Sequence, residues 1–174
     1  YPLRRQRQMC IRDRFNSLYT ANSNVTLSEK MELNSKLMLT SSKWVHDLQV
    51  ERGKSALFLG NKVSQEEIAT LRKKVDADAQ EFKTLYEQAQ VSEDAKALIA
   101  TASNLHQKAR ELVDQNGKAS EATKTFSNLI DEILKFQGYL ATKDHFEGIE
   151  IYLSSAVQFE YSKEFAGRFR ANLT

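Results

Sequence analysis

Apolar residues recur at intervals of three and four along most of this chain, which is the spacing of one face of an α-helix. Runs that alternate apolar and polar residues, which would predict strands, are absent. The chain holds six glycines and one proline, and the residues that favour helices abound. The pattern predicts an all-α fold: an antiparallel up-down helical bundle with a four-helix core and an extended first helix.

Turn and capping residues divide the pattern into five helices. The expected N-caps or first residues of the first four helices are Ser28, Ser64, Ser92 and Ser120. Gly60 gives the first helix a C-terminal signal, and Gly117 does the same for the third. A polar break near residues 142–144 precedes a fifth helix from about Phe146. The sequence leaves open whether this helix continues the fourth or folds back.

One arginine falls inside the apolar stripe of the first helix. At about 100° per residue, Arg52 shares that stripe with Leu37, Trp44, Leu48, Ser55 and Leu59. A stripe of this kind normally faces a core, and burying a charge without a partner is very costly. We therefore expect Arg52 to meet either a carboxylate of the chain, such as Glu164 or Glu160, or a bound anion.

The last helix carries a second cationic feature. Lys163, Gly167 and Arg170 lie on or beside the face formed by Ile149, Tyr152, Leu153 and Ala156. Glycine costs a helix about 1 kcal/mol relative to alanine, so we expect another backbone or a ligand to approach closely at Gly167, and likewise at Gly53. Arg52 and Arg170 together would form a cationic pocket that matches a planar oxyanion. This chemistry does not separate nitrate from nitrite, bicarbonate or a carboxylate.

The charge balance changes along the chain. The net charge is +2, but residues 1–14 carry five arginines and one aspartate, so the remainder is −2. The body is therefore not predicted to bind nucleic acid by charge. An Arg-rich tail can be a phosphate-binding arm, but residues 5–14 resemble translated sequencing-adapter read-through. We interpret residues 1–14 as a non-native or disordered tail, 15–35 as a leading helix arm, and 36–174 as a domain truncated at its C-terminus.

The residue patterns that indicate catalysis are missing. We find no Gly-rich phosphate loop and no nucleophile elbow, and the three histidines are scattered. Cys10 is the only cysteine, which excludes an intrachain disulfide. No stretch approaches the roughly 20 apolar residues of a membrane-spanning helix. We predict that the chain is not an enzyme and that it uses neither a metal nor a cofactor.

The run Leu-Gln-Val-Glu-Arg-Gly-Lys-Ser-Ala-Leu-Phe, residues 48–58, resembles the signature of the nitrate- and nitrite-sensing (NIT) family of bacterial receptors. The Arg-x-x-Val-Asp motifs at residues 72–76 and 110–114 are similar to later parts of that family, as are residues 163–171. Phe169 stands where the family commonly has Glu. The resemblance spans about residues 36–174, and family members usually continue into a second helical bundle.

The resemblance implies an all-helical sensor for nitrate or nitrite in a bacterial signal-transduction protein of the chemoreceptor type. By motif match, Arg52 and Arg170 would bind the anion. The expected supporting residues are Gly53, Ser55, Lys163 and Gly167. We also expect a homodimer, a fused output module, and a position on the extracytoplasmic (periplasmic) side of a membrane, with the cytoplasm as the alternative. A structural or dimerising bundle without a ligand is the alternative function, and it requires a carboxylate on Arg52.

Overall fold

A computed structural model describes residues 2–89, 91–143 and 150–172. Five helices run through these residues, and no strand occurs among them. The helices are α1 (Pro2–Leu59), α2 (Gln65–Gln88), α3 (Glu93–Asp114), α4 (Ala119–Lys143) and α5 (Glu150–Asn172). The prediction of an all-α helical bundle is confirmed. Within these ranges, no helix combines the length and hydropathy that crossing a bilayer requires.

Local capping signals explain where α2 and α3 begin. The Ser64 hydroxyl accepts a hydrogen bond from the backbone N–H of Glu67 at 3.3 Å, and Ser92 accepts one from Ala95 at 3.3 Å. Each serine satisfies one of the free N–H groups in the first turn of its helix. Both predicted N-caps are therefore confirmed.

Two asparagines with positive φ reverse the chain after α1 and α3. Asn61 has φ 56° and Asn116 has φ 53°, the left-handed conformation that follows many helices. Gly117 then donates its N–H to the carbonyl oxygen of Leu112 at 2.8 Å. A side chain at Gly117 would place its Cβ 2.8 Å from that same oxygen, so this turn requires glycine. The predicted ends of both helices are confirmed to within a few residues.

Helix α1 begins at Pro2, and the predicted start near Ser28 is wrong. No glycine or proline lies between Leu3 and Arg52, so nothing interrupts the helix where a serine was expected to cap it. The chain divides into two compact units, Tyr1–Ser35 and Lys36–Thr174. Every contact described below lies within the second unit.

Aromatic rings join α1, α2 and α4 in the core of this second unit. The Trp44 and Phe82 rings stack with centroids 5.5 Å apart, and Phe82 meets Phe136 edge-on at 5.5 Å. The predicted α1 stripe is buried from Leu37 through Trp44 and beyond, although Leu59 is half-buried. Arg52 is thereby held within a packed interior.

Helix α5 folds back along α4, which answers the question that the sequence left open. Arg168, near the end of α5, donates to the backbone carbonyl of Ser127 in the first half of α4 at 3.1 Å. Helix α4 ends at Lys143, inside the predicted break. The expected start of the fifth helix, Phe146, lies outside the described residues, as does Ile149.

The buried face of α5 differs from the predicted one. Tyr152 is 75% exposed and Ala156 is exposed, whereas Val157 and Glu164 are buried. The last two lie seven residues apart and therefore share a face. An ion pair between Glu164 and α1 fixes this orientation, and the apolar periodicity of α5 alone could not predict it.

Candidate functional site

The Arg52 guanidinium reaches from α1 to both α4 and α5. Its Nη1 donates to Glu164 Oε1 at 2.5 Å and to the Ser127 hydroxyl at 2.9 Å. Arg52 is 4% exposed and Glu164 is 1% exposed. Of the two partners that the sequence predicts for Arg52, the structure contains the carboxylate. Each buried charge offsets the desolvation cost of the other, so removal of Glu164 would leave the Arg52 charge uncompensated.

Glu164 is shared by a second arginine. Arg168 Nε donates to Glu164 Oε1 at 2.7 Å, and Gln49 Nε2 donates to Oε2 at 3.0 Å. Arg168 also donates to Asp131 of α4. Burial lowers the pKa of Arg168, but Glu164 and Asp131 outweigh burial and raise it overall. Guanidinium groups from α1 and α5 thus converge on one carboxylate.

The glycines and the serine predicted to support the site differ in their surroundings. A Cβ on Gly167 would lie 3.1 Å from Arg52 Nη2, so the expected close approach occurs there. Gly53 is exposed, and a Cβ there would meet no atom within 4 Å, so packing does not explain this glycine. Ser55, one turn after Arg52, is 1% exposed, and its buried hydroxyl has no hydrogen-bond partner in the described part of the chain.

The two remaining predicted residues lie on α5. Lys163 pairs with Glu160 at 2.9 Å. Arg170 belongs to the helix, but its side chain lies outside the part of the chain that the structure describes. Among the described side chains of α5, Arg168 is the arginine that reaches the partner of Arg52, and it was not predicted from the sequence. Its position four residues after Glu164 was the available signal, since residues with this spacing share a helix face.

Glu51, the residue before Arg52, forms a second buried cluster. It is fully buried and accepts two hydrogen bonds from Arg110 of α3, Nε to Oε1 at 2.7 Å and Nη2 to Oε2 at 3.0 Å. Arg72 Nε lies 3.6 Å from Oε1, and His106 Nε2 lies 3.5 Å from Oε2. Burial raises the pKa of Glu51, but His106 and Arg110 outweigh burial and lower it overall.

The two Arg-x-x-Val-Asp motifs exchange ion pairs across α2 and α3. Arg72 Nη1 lies 2.8 Å from Asp114 Oδ1, and Arg110 Nη1 lies 2.6 Å from Asp76 Oδ1. Each arginine therefore pairs with the aspartate of the other motif, while both also approach Glu51. This cluster was not predicted from the sequence, although the identical spacing of the two motifs was a signal for it.

Consecutive residues of α1 thus contact all four other helices of the bundle. Glu51 contacts α2 and α3, whereas Arg52 contacts α4 and α5. The two side chains project about 100° apart around the helix. The Glu51 carboxylate is enclosed by arginines, while Glu164 is the one carboxylate that pairs with Arg52 among the described residues.

A cavity of about 330 Å³ lies elsewhere in the bundle. Its walls include Trp44, Phe82, Tyr86 and His106, and Arg52 does not line it. Over the described ranges, no group of three or more histidine, cysteine or acidic side chains is arranged to hold a metal ion.

Comparison with known families adds an independent finding. A family model described as nitrate and nitrite sensing matches residues 43–174, which is more than half of the chain. The matched region contains Arg52, both Arg-x-x-Val-Asp motifs and all of α5. Neither the curated proteins nor the solved structures contain a match to this chain.

Proposed function

Since this chain belongs to the nitrate- and nitrite-sensing family, we propose that it is a sensor domain in which Arg52 binds the anion. Arg52 lies in the family signature and is 4% exposed within the bundle. A guanidinium presents a planar fork of donors that matches a planar oxyanion with two parallel hydrogen bonds. This buried arginine is the observation that carries the proposal.

Three neighbours support a ligand at Arg52. The buried Ser55 hydroxyl has no hydrogen-bond partner among the described residues and is available to an anion on the same helix face. Because residue 167 is glycine, no side chain from that position presses on Arg52 Nη2. Ser127 accepts a hydrogen bond from Arg52 Nη1 and so helps to hold the guanidinium in place. By motif match, Arg170 remains a candidate second binding arginine, and Lys163 and Gly53 remain candidate supporting residues.

We further propose a role in signal transduction that follows from the family resemblance. The domain would belong to a bacterial receptor of the chemoreceptor type, act as a homodimer and control a fused output module. We place it on the extracytoplasmic side of a membrane, with the cytoplasm as the alternative. Anion binding would bias the equilibrium between two packings of the bundle, by as much as the anion's affinity differs between them.

The second candidate function is a structural or dimerising bundle without a ligand. The hydrogen bond of 2.5 Å between Arg52 and Glu164 favours it, because a paired arginine has no need of an external anion. The two candidates differ in whether this carboxylate can be replaced at Arg52.

Isothermal titration calorimetry of the full-length protein with nitrate and with nitrite tests the proposal. We expect binding at millimolar concentrations or below, loss of binding in Arg52→Ala, and weakened binding in Arg52→Lys, which keeps the charge but loses the fork. Lys54→Ala is the matched control, since Lys54 is a cation of the same helix that pairs with Glu67 instead. Failure of both anions to bind would support the structural bundle. Unchanged binding in Arg52→Ala would show that Arg52 does not bind the anion and would contradict the proposal.

A further inference from the structure

The Glu164 carboxylate occupies a place where several donors converge. Its Oε1 accepts from Arg52 Nη1 at 2.5 Å and from Arg168 Nε at 2.7 Å, and its Oε2 accepts from Gln49 Nε2 at 3.0 Å. A carboxylate is planar, with two oxygens on one carbon. Nitrite has two oxygens on one nitrogen, and nitrate has three in a plane. The head group of Glu164 therefore offers these donors nearly the same acceptor pattern as either anion.

The charges around this place require one anion. Arg52 and Arg168 each contribute a positive charge, and Asp131 neutralises part of the charge on Arg168. Gln49 is a neutral donor to the carboxylate, and Ser127 is a neutral acceptor of a hydrogen bond from Arg52. If the carboxylate left, a net positive charge would stay in a site where Arg52 is 4% exposed. A monovalent oxyanion would restore the balance and satisfy the same donors.

We propose that nitrate or nitrite binds in place of the Glu164 carboxylate, between Arg52 and Arg168, so that Glu164 is an internal competitor of the ligand. This inference rests on the proposed function, and it adds Arg168 as a second binding arginine and Glu164 as the regulator of the site. The same residues that support a structural ion pair in the unliganded protein then form the binding site once Glu164 is displaced.

Displacement of Glu164 requires movement of α5. The side chain is 1% exposed, and a carboxylate expelled from the interior needs contact with water. The carboxylate belongs to α5, whereas Arg52, the partner that it would lose, belongs to α1. Anion binding therefore selects a packing in which α5 shifts enough to move Glu164 away from Arg52 while Arg168 still contacts the anion, which is the two-state behaviour that a sensor needs.

The tethered carboxylate also sets the affinity of the site. A group held next to its partner by the fold competes at a high effective concentration. External anions then bind more weakly than they would at a free pair of arginines. The domain would respond only when nitrate or nitrite is abundant enough to compete.

Calorimetric titration of nitrate and nitrite into Glu164→Gln tests the internal competitor. Glutamine keeps the size of the side chain but removes its charge, so we expect both anions to bind about tenfold more tightly or better. Glu160→Gln is the matched control: it removes a carboxylate one turn earlier on α5, where Glu160 pairs with Lys163. Its affinity for both anions should equal that of the wild type. If Glu164→Gln does not fold, Glu164→Asp replaces it, and the shortened carboxylate should give a smaller gain in affinity.

Arg168→Gln in the Glu164→Gln background tests the second binding arginine. In this background the negative charge of Glu164 is absent, so Arg168 no longer neutralises it. If Arg168 were purely structural, its substitution would leave the anion affinity unchanged. We expect the double variant to lose the gain in affinity and to bind about tenfold more weakly than Glu164→Gln alone.

These titrations separate failure of the inference from failure of the proposed function. If the wild type binds in an Arg52-dependent manner but Glu164→Gln binds equally or more weakly, the internal competitor is wrong and the sensor stands. If the Arg168 substitution leaves the tighter binding intact, Arg168 is not a binding residue. If no variant binds either anion, the sensor proposal and this inference both fail.

Discussion

At the scale of single residues, Glu51 is a buried charge whose partners surround it and leave no place for an external ion. Its carboxylate receives both hydrogen bonds of the Arg110 fork and lies next to Arg72 and His106. Arg52, by contrast, depends on one carboxylate from the last helix. The residue that stabilises the bundle and the candidate ligand-binding residue are therefore adjacent in sequence and separate in role.

We expect Glu51→Gln to lower the free energy of unfolding by about 3 kcal/mol at neutral pH, because it removes a fully buried charge and leaves the half-buried Arg110 with the exposed Asp76 as its remaining charge partner. Urea unfolding followed by circular dichroism measures this. Asp76→Asn is the control, since that side chain is 57% exposed and its ion pair with Arg110 should contribute about 1 kcal/mol or less. A loss as small as that of the control would contradict the structural role of Glu51.

The same carboxylate predicts a dependence of stability on pH. The pKa of Glu51 is lower in the folded protein than its ordinary value of 4.5. Its stabilisation is therefore complete above that value and is lost as the pH falls through the folded pKa. The difference in unfolding free energy between the wild type and Glu51→Gln should shrink steadily below pH 4.5. A difference that grew in acid would show that the pKa shift has the opposite sign.

At the scale of helices, two glycines provide a matched comparison between helix propensity and packing. Gly53 in α1 faces open space, whereas a Cβ on Gly167 in α5 would press on Arg52 Nη2. We expect Gly53→Ala to raise the free energy of unfolding by roughly 0.5–1 kcal/mol. Gly167→Ala should gain less or be destabilising, because Glu164 and Ser127 hold the guanidinium in place.

Thermal or urea unfolding of the two alanine variants side by side checks this difference. Anion titration adds a second readout, because only the Gly167 substitution should displace Arg52. Equal gains in stability for both variants would mean that the close approach at Gly167 has no energetic consequence.

The sequence predicted the helices better than it predicted their contacts. The Ser64 and Ser92 caps depend on residues within one turn, so local patterns were sufficient. The start of α1 was predicted wrongly because a serine acts as an N-cap only where the residues before it are not helical. The buried face of α5 was missed because it depends on the contact between Glu164 and Arg52, which are 112 residues apart.

The candidate site was predicted in the same uneven way. Periodicity placed Arg52 and Ser55 in the interior, and the structure has them there. Periodicity marks apolar stripes, so it gave no indication that Glu51 is buried beside them. The orientation of α5 brings Arg168 to Glu164, and the three-dimensional structure was needed to show this contact.

At the scale of the whole molecule, a ligand that binds only the folded protein must stabilise it. Saturation to about a hundred times the dissociation constant would add about 2.7 kcal/mol to the free energy of unfolding. We therefore expect sodium nitrate to raise the midpoint of thermal unfolding of the wild type but not of Arg52→Ala. Differential scanning fluorimetry measures this, with sodium chloride at equal ionic strength as the control. Identical shifts with both salts would indicate screening rather than binding.

The neighbouring positions of Glu51 and Arg52 restrict how a signal can leave this domain. Rotation of α1 about its own axis would break the hydrogen bonds between the Glu51 carboxylate and α3. The arginines of α2 and α3 therefore hold α1 in a fixed orientation. In the proposed sensor, an event at Arg52 would therefore be transmitted outward, through displacement of the last helix, and not through rotation of the first.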